Sequence, residues 1–230
     1  LEIGDSSADG EQMEWSDSLR LDCTGCYGAS LTHGPIVGAT TGNESYLWVR
    51  TDASRKVAFR VSASEADVAT ASPIHVSYPA AVDDFTTVAP VGGLSPLQRY
   101  YYNVEVDGTL FGPYSFVTNQ ETGQSDAFSF AFGSCAKFDD QPIFDAIRSY
   151  HPDDFLFIGD NHYGNTDDRG SLLQNYRWAH SREGRAEMMQ DTPIFATWDD
   201  HDYGPNDIGK SYILKETSRE IFKKYFNVIH

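Results

Sequence analysis

Asp154-Phe155-Leu156-Phe157-Ile158-Gly159-Asp160 is the stretch that decides the fold. It is short, continuously apolar between its acidic ends, and stopped by a glycine. Such a run reads as a strand buried on both faces, the kind found inside parallel sheets. Two similar runs flank it. Upstream, Phe128 to Phe132 is apolar except for Ser129 and ends in Gly133-Ser134-Cys135. Downstream, Pro193-Ile194-Phe195-Ala196-Thr197-Trp198 ends in Asp199-Asp200-His201-Asp202. Helical patterns separate the three. Asp139 or Asp140 can cap a helix with Pro142 in its first turn and Ile143, Phe144 and Ile147 on one face. Residues 169 to 190 read as helical. A further helix over 212 to 226 turns Ile213, Ile221, Phe222, Tyr225 and Phe226 inward. Strand, helix, strand, helix, strand is the signature of a largely parallel α/β sheet.

Moving toward the N-terminus, the grammar changes. Residues 119–126 (NQETGQSD) are polar and lack any apolar period, which marks a linker. Before it, Tyr46 to Arg50 reads as a short strand. Val57, Phe59 and Val61 alternate with Ala58, Arg60 and Ser62, and Tyr100, Tyr102, Val104 and Val106 alternate with Tyr101, Asn103 and Glu105. That period of two marks half-buried strands. Asp107-Gly108 before Phe111 to Thr118 is a hairpin signal. Several short strands with turn signals predict a β-sandwich over 31–118. Residues 1–30 are polar and acidic, and read as an extended arm.

Composition narrows the function classes. The chain has 230 residues, 40% hydrophobic, with 13 Tyr, 14 Phe and 4 Trp, enough for a sizeable core. The formal net charge is −17. Such a surface repels nucleic acid and anionic membranes and attracts divalent cations. No apolar run is long enough to span a membrane. The sequence begins at Leu1 without a signal peptide pattern, so it reads as a mature or trimmed product. Cys23 and Cys26 form a C-T-G-C pair that an exported protein can oxidise, at the cost of a strained loop. Asn43-Glu44-Ser45 is a glycosylation sequon.

In open α/β sheets, ligands bind beyond the carboxyl ends of the strands. Here the first core strand ends in Cys135, the second in Asp160 with His162 and Tyr163 close behind, and the third in Asp199-Asp200-His201-Asp202. Singly, a cysteine after a strand is an ordinary small buried residue, and an aspartate there is often a helix cap. Together they point to a metal centre. Carboxylate and phenolate are hard ligands and thiolate is soft, a combination that suits a Lewis-acidic trivalent iron. A bridging carboxylate at Asp160 allows two cations, which clamp both oxygens of an in-line displacement and lower the pKa of water.

Gly133-Ser134-Cys135, Gly159-Asp160-Asn161-His162-Tyr163 and Thr197-Trp198-Asp199-Asp200-His201-Asp202 resemble the S-C, GDxxY and W-D-D-H-[DE] elements of the PhoD-like alkaline phosphatases, within the metallophosphoesterase superfamily. The stretch 198–207, WDDHDYGPND, is the most specific part, and the likeness spans about residues 31 to 230. The resemblance implies an α/β fold, α+β overall: a fibronectin/Ig-like sandwich, then the first half of an αββα metallophosphoesterase domain over 127–230. It implies an enzyme that hydrolyses phosphate mono- or diesters. Cys135, Asp160 and Tyr163 resemble ferric iron ligands, with Asp160 bridging to one or two calcium ions or other divalent metals. Asp200 takes the place of a second-metal ligand, Asn206 joins the calcium shell, and His201 resembles the histidine that bonds phosphate or protonates the leaving group. Arg182 is a candidate phosphate contact, although a solvated helix charge explains it as well. The family also implies an extracytoplasmic site: secreted, periplasmic or at the cell surface.

One departure stands out. The superfamily pattern continues with His and Asp ligands on later strands, and no later G-x-H element follows the D-D-H stretch before His230. The expectation is that a second polypeptide or a C-terminal continuation completes the sheet. The competing reading is a non-catalytic structural or binding protein that keeps the fold.

Overall fold

The computed structural model describes residues 31–137 and 141–226. The expected arm over 1–30, the Cys23 and Cys26 pair, and the caps Asp139 and Asp140 lie outside the described residues. The chain opens with β1 (Leu31–Gly38), β2 (Glu44–Thr51) and β3 (Val57–Ser62). A one-turn helix α1 (Glu65–Val68), β4 (His75–Ser77), β5 (Thr86–Gly92), β6 (Arg99–Val106) and β7 (Thr109–Val117) follow. The β6–β7 turn is the expected Asp107-Gly108, with φ of 47° and 88°. Positive φ at both residues twists the turn to match its strands. β4, β3, β6 and β7 form one antiparallel sheet. It packs through Val57, Phe59, Val104 and Phe116 onto Leu47, Val49 and Ala89 of β2 and β5.

The second half holds β8 (Phe130–Gly133), α2 (Ile143–Ser149), β9 (Asp154–Ile158), α3 (Arg169–His180), α4 (Glu183–Asp191), β10 (Ile194–Thr197), α5 (Asp200–Tyr203) and α6 (Lys215–Phe226). β8, β9 and β10 are mutually parallel, so the expected α/β order is present. They continue the sandwich sheet into one six-stranded sheet, ordered β5-β2-β1-β10-β9-β8. The join is the parallel pair Gly38↔Ile194, where the Ala39 amide donates to the Ile194 carbonyl at 3.0 Å. Ile36 and Trp48, on the outer face of the sandwich, therefore belong to the α/β core with Phe155, Phe157, Tyr176, Met188 and Phe226.

Four expectations need correction. The helix over 169–190 is two helices, because Ser181 caps α3, its Oγ donating to the Trp178 carbonyl at 2.8 Å, and Arg182 is extended. The last helix starts at Lys215 rather than 212, and Ile213 is 89% exposed, while Tyr212 is buried instead. In α2 only Phe144 is fully buried; Ile143, directly after Pro142 at the N-cap, faces solvent. β8 is an edge strand whose Phe130 and Phe132 are 54% and 63% exposed. Alternate residues of a strand point to opposite faces, and among the described residues none covers theirs.

Two buried carboxylates tie the halves together. Asp84, before β5, accepts from Arg50 of β2 at 3.1 Å, from Arg177 Nε of α3 at 2.8 Å, and from the Tyr225 hydroxyl of α6. Burial alone raises its pKa, but the bonds from Arg177, Arg50 and Tyr225 win and hold it down to about 2. Asn119 donates to the Thr40 carbonyl at 3.0 Å and to Asp154 at 2.8 Å. Asp154 has no cationic partner among the described residues, and burial pushes it up to about 7.

Opposite pH responses follow. The folded pKa of Asp84 lies below its unfolded value, so its contribution is present above about pH 4 and fades as pH falls toward 2. Asp84→Asn strands two arginines and should cost about 3–5 kcal/mol by urea unfolding at pH 7. The folded pKa of Asp154 lies above its unfolded value, so stability falls as pH rises from about 4 to 7. Asp154→Asn should flatten that slope, and an unchanged slope would remove Asp154 as its source.

Candidate metal centre

The three parallel strands end on one sheet edge, and their loops run side by side. After β8, Cys135 turns into the left-handed region (φ 58°), its amide donating to the Gly159 carbonyl at 3.3 Å. The Ala136 amide donates to the Asp160 carbonyl at 2.9 Å. After β9, Gly159 has φ 105°, and a Cβ there would lie 2.8 Å from Asp199 Cβ. Only glycine fits, and that close approach brings the loops after β9 and β10 together. Asp160 follows at φ 50°. After β10, Asp199 caps α5 in a capping box with Asp202.

Side chains converge on Asp160. The Tyr163 hydroxyl donates to its Oδ2 at 3.1 Å, and the Cys135 thiol contacts the same oxygen at 3.6 Å. Asp160 Oδ1 is buried and has no partner among the described residues. One oxygen each of Asp160 and Asp200 and a ring nitrogen of His201 lie within 4.8 Å of one another. The Tyr163 and His201 rings pack with centroids 4.1 Å apart, and the Lys137 ammonium lies 5.8 Å from the Tyr163 centroid. Contact with Cys135, then burial and the Asp160 carboxylate, raise the Tyr163 pKa. A bound cation reverses that balance. An orphaned buried carboxylate oxygen beside a thiol, a phenol and a second carboxylate is a donor set that fits a metal ion.

Other sequence candidates stand further off. Asn206 donates to Asp207 at 2.6 Å and reaches Asp200 only through the Asp207 amide, which donates to Asp200 Oδ2 at 2.5 Å. Arg182 stacks on Trp178 at 3.7 Å, at the α3–α4 junction.

Several residues escaped the sequence reading. Asn165, in the left-handed region at φ 44°, places its Oδ1 on His201 Nδ1. Buried Asp202 accepts from the Asn161 amide at 2.9 Å, from Asn161 Nδ2 at 3.0 Å and from the Asp199 amide at 3.1 Å. Burial pushes its pKa up to about 7. Burial also lowers His162 to about 3, so that ring is neutral, and its Nδ1 accepts from the Gly164 amide. The only signal for Asp202 and Asn161 was membership of the quoted motifs. For Asn165 and the buried Arg185 there was none.

Of the comparisons with known proteins, the likeness to PhoD bears on the fold. A domain of unknown function (DUF7800) matches residues 28–121. No curated protein matches the chain. Among solved structures, PhoD superposes with a TM-score of 0.72 at 18% identity, over 87% of this chain and 47% of that one. The chain thus spans about half the length of the PhoD structure. The fibronectin domain of human contactin 1 has a TM-score of 0.31 at 14% identity, over 55% of this chain and 100% of that one. The sensor domain of the anti-sigma factor RsgI4 of Pseudobacteroides cellulosolvens has 0.32 at 11% identity, over 40% and 76%.

A cation that binds here should stabilise the fold by mass action. At a hundred times its Kd, a divalent metal adds about 2.7 kcal/mol, which for a chain of this length raises Tm by about 5–10 °C. Asp160→Asn should abolish that increment in scanning calorimetry. An equal increment in both proteins would place the ion elsewhere.

Proposed function

We propose that the strand-end cluster is the metal centre of a phosphoesterase, an alkaline phosphatase or phosphodiesterase of the PhoD-like kind, acting outside the cytoplasm. The observation that carries this reading is the convergence of Cys135, Tyr163, Asp200 and His201 on Asp160, whose Oδ1 has no partner among the described residues. The likeness of fold to PhoD supports it. Cys135, Asp160 and Tyr163 would hold a ferric ion, and Asp160 and Asp200 one or two calcium ions, with Asn206 joining that shell. When bound, such metals supply Lewis acidity at a phosphoryl oxygen and lower the pKa of a coordinated water.

The chain's own residues do the rest. With His201 Nδ1 donating to Asn165 Oδ1, Nε2 stays unengaged by that bond and, in the doubly protonated ring, can donate to the leaving oxygen or a phosphate oxygen. Tyr163, packed against His201 with the two rings tilted by 37°, limits the ring's rotation.

The reading divides the chain into a sandwich over 31–118, a connector over 119–126 and the first half of the catalytic domain from 127 onward. Phe130, Phe132 and Ile158 line one exposed sheet face beside the β8 edge. An exposed apolar face on an open edge strand is an aggregation hazard unless covered. We propose that further polypeptide, a continuation or a second subunit, packs there and adds ligands facing Asp160 and Asp200. No helix among the described residues is long and apolar enough to cross a membrane.

The test uses the intact protein and p-nitrophenyl phosphate. His201→Ala should lower kcat by about 10²–10⁴-fold with metal content unchanged. Tyr163→Phe should bleach or shift a phenolate-to-iron absorption band. A colourless wild-type enzyme that is iron-free and fully active would remove the iron assignment. Absence of hydrolysis by a metal-loaded protein would favour a binding protein that retains the fold.

A further inference from the structure

Arg185 of α4 is only 1% exposed; the Asp202 carboxylate acts on it through space, but the two form no salt bridge among the described residues. Its guanidinium lies over the ring of Phe157 at 4.6 Å, with Phe226 at 5.8 Å and Phe144 at 6.0 Å. One N–H, on Nη1, donates to the Asn161 carbonyl at 2.8 Å, while Nε and Nη2 have no partner. Removing a guanidinium from water with two of its three nitrogens unpaired is unfavourable, even with aromatic faces around it. A residue kept for stability would be paired or apolar. Local rules of this sort are broken mainly where function requires it.

The one bond it makes is well placed. Asn161 follows Asp160 directly, and Asp160 sits in the left-handed turn at φ 50°. The Asn161 amide and side chain are held by Asp202 and by the Thr197 carbonyl, which tie this turn to the end of β10. Those bonds leave the Asn161 carbonyl, on the other side of the residue, to Arg185. A charged donor makes a shorter and stronger bond to a carbonyl than a neutral one. With Arg185 in place, both peptide groups of Asn161 are fixed.

We propose that Arg185 is a positioning residue for the metal centre: it clamps the Asn161 carbonyl and so holds the Asp160 carboxylate in its ligating orientation. This rests on the reading of the strand ends as a metal site. Outer residues that orient ligands change metal affinity by about 10–100-fold when removed, and that range sets the expected effect.

The test compares the intact wild type with Arg185→Met and Arg185→Lys. Methionine fills much of the same apolar volume without charge. Three quantities are measured: Tm of the metal-free protein, Mn2+ affinity by calorimetric titration, and hydrogen exchange of the metal-free peptide spanning 158–164. Arg185→Met should keep or raise Tm, speed exchange in that peptide alone, and weaken Mn2+ binding at least tenfold. Arg185→Lys should recover part of the affinity. A fall in Tm with unchanged exchange in 158–164 and unchanged affinity would overturn the proposal in favour of a packing role. Unaltered values throughout would overturn it equally. Should the wild type bind no Mn2+, the metal-site reading falls and the proposal with it. Binding by wild type and Arg185→Met alike defeats the proposal alone.

Discussion

Parallel strands cannot be joined by a tight turn. Each must be followed by a crossover long enough to return the chain to the starting edge of the sheet. In this protein that constraint governs everything after residue 127. β8, β9 and β10 run the same way, so their carboxyl ends, with Cys135, Asp160 and Asp199 to Asp202, all fall on one edge. The crossovers α2, α3 and α4 are then obliged to cover one face, which is how Phe144, Leu172 and Met188 come to share a core. The other constraint is the partner found by β10 on its far side. That partner is β1, a strand of the sandwich, so the sandwich and the α/β half share backbone hydrogen bonds as well as side chains.

Buried charge is handled in two contrasting ways. Asp84 lies between two arginines and a tyrosine from separate elements, and its ionised form is favoured. Asp202 and Arg185 are as deeply buried, yet each is bonded mainly to backbone or amide groups rather than to an opposite charge. The first arrangement fastens the halves together. The second is found behind the strand ends, where carboxylates crowd. A chain with a net charge of −17 has little to gain from gathering more acids at one edge unless a cation compensates them.

The order of elements was legible because its signals were local. A continuous apolar run bounded by Gly159-Asp160 and a turn dipeptide at Asp107-Gly108 need no tertiary information. Exposure was less legible. Phe130 and Phe132 have the composition of a buried strand, but no described residue covers their face of the sheet, which also exposes Ile158 of β9. Ile213 fitted a helical period that the chain does not begin until Lys215. At the proposed site, Cys135, Asp160, Tyr163, Asp200 and His201 could be listed from motifs, and the fold brings them together. The residues that hold them, Asn165 and Arg185, come from segments with no motif. Their roles depend on which backbone carbonyl or ring nitrogen lies opposite, and sequence spacing carries no such information.

Cys135, Asp160 and Asn165 all occupy left-handed backbone conformations that ordinary side chains adopt at a cost. Glycine would relieve each position at once. If these turns hold the proposed metal, they are places where drift is downhill: without a need for it, losing these side chains would gain stability. A thiol and a carboxylate at two such positions work against local conformational preference. In a related chain, glycine at either position would remove the strain and the proposed ligand together.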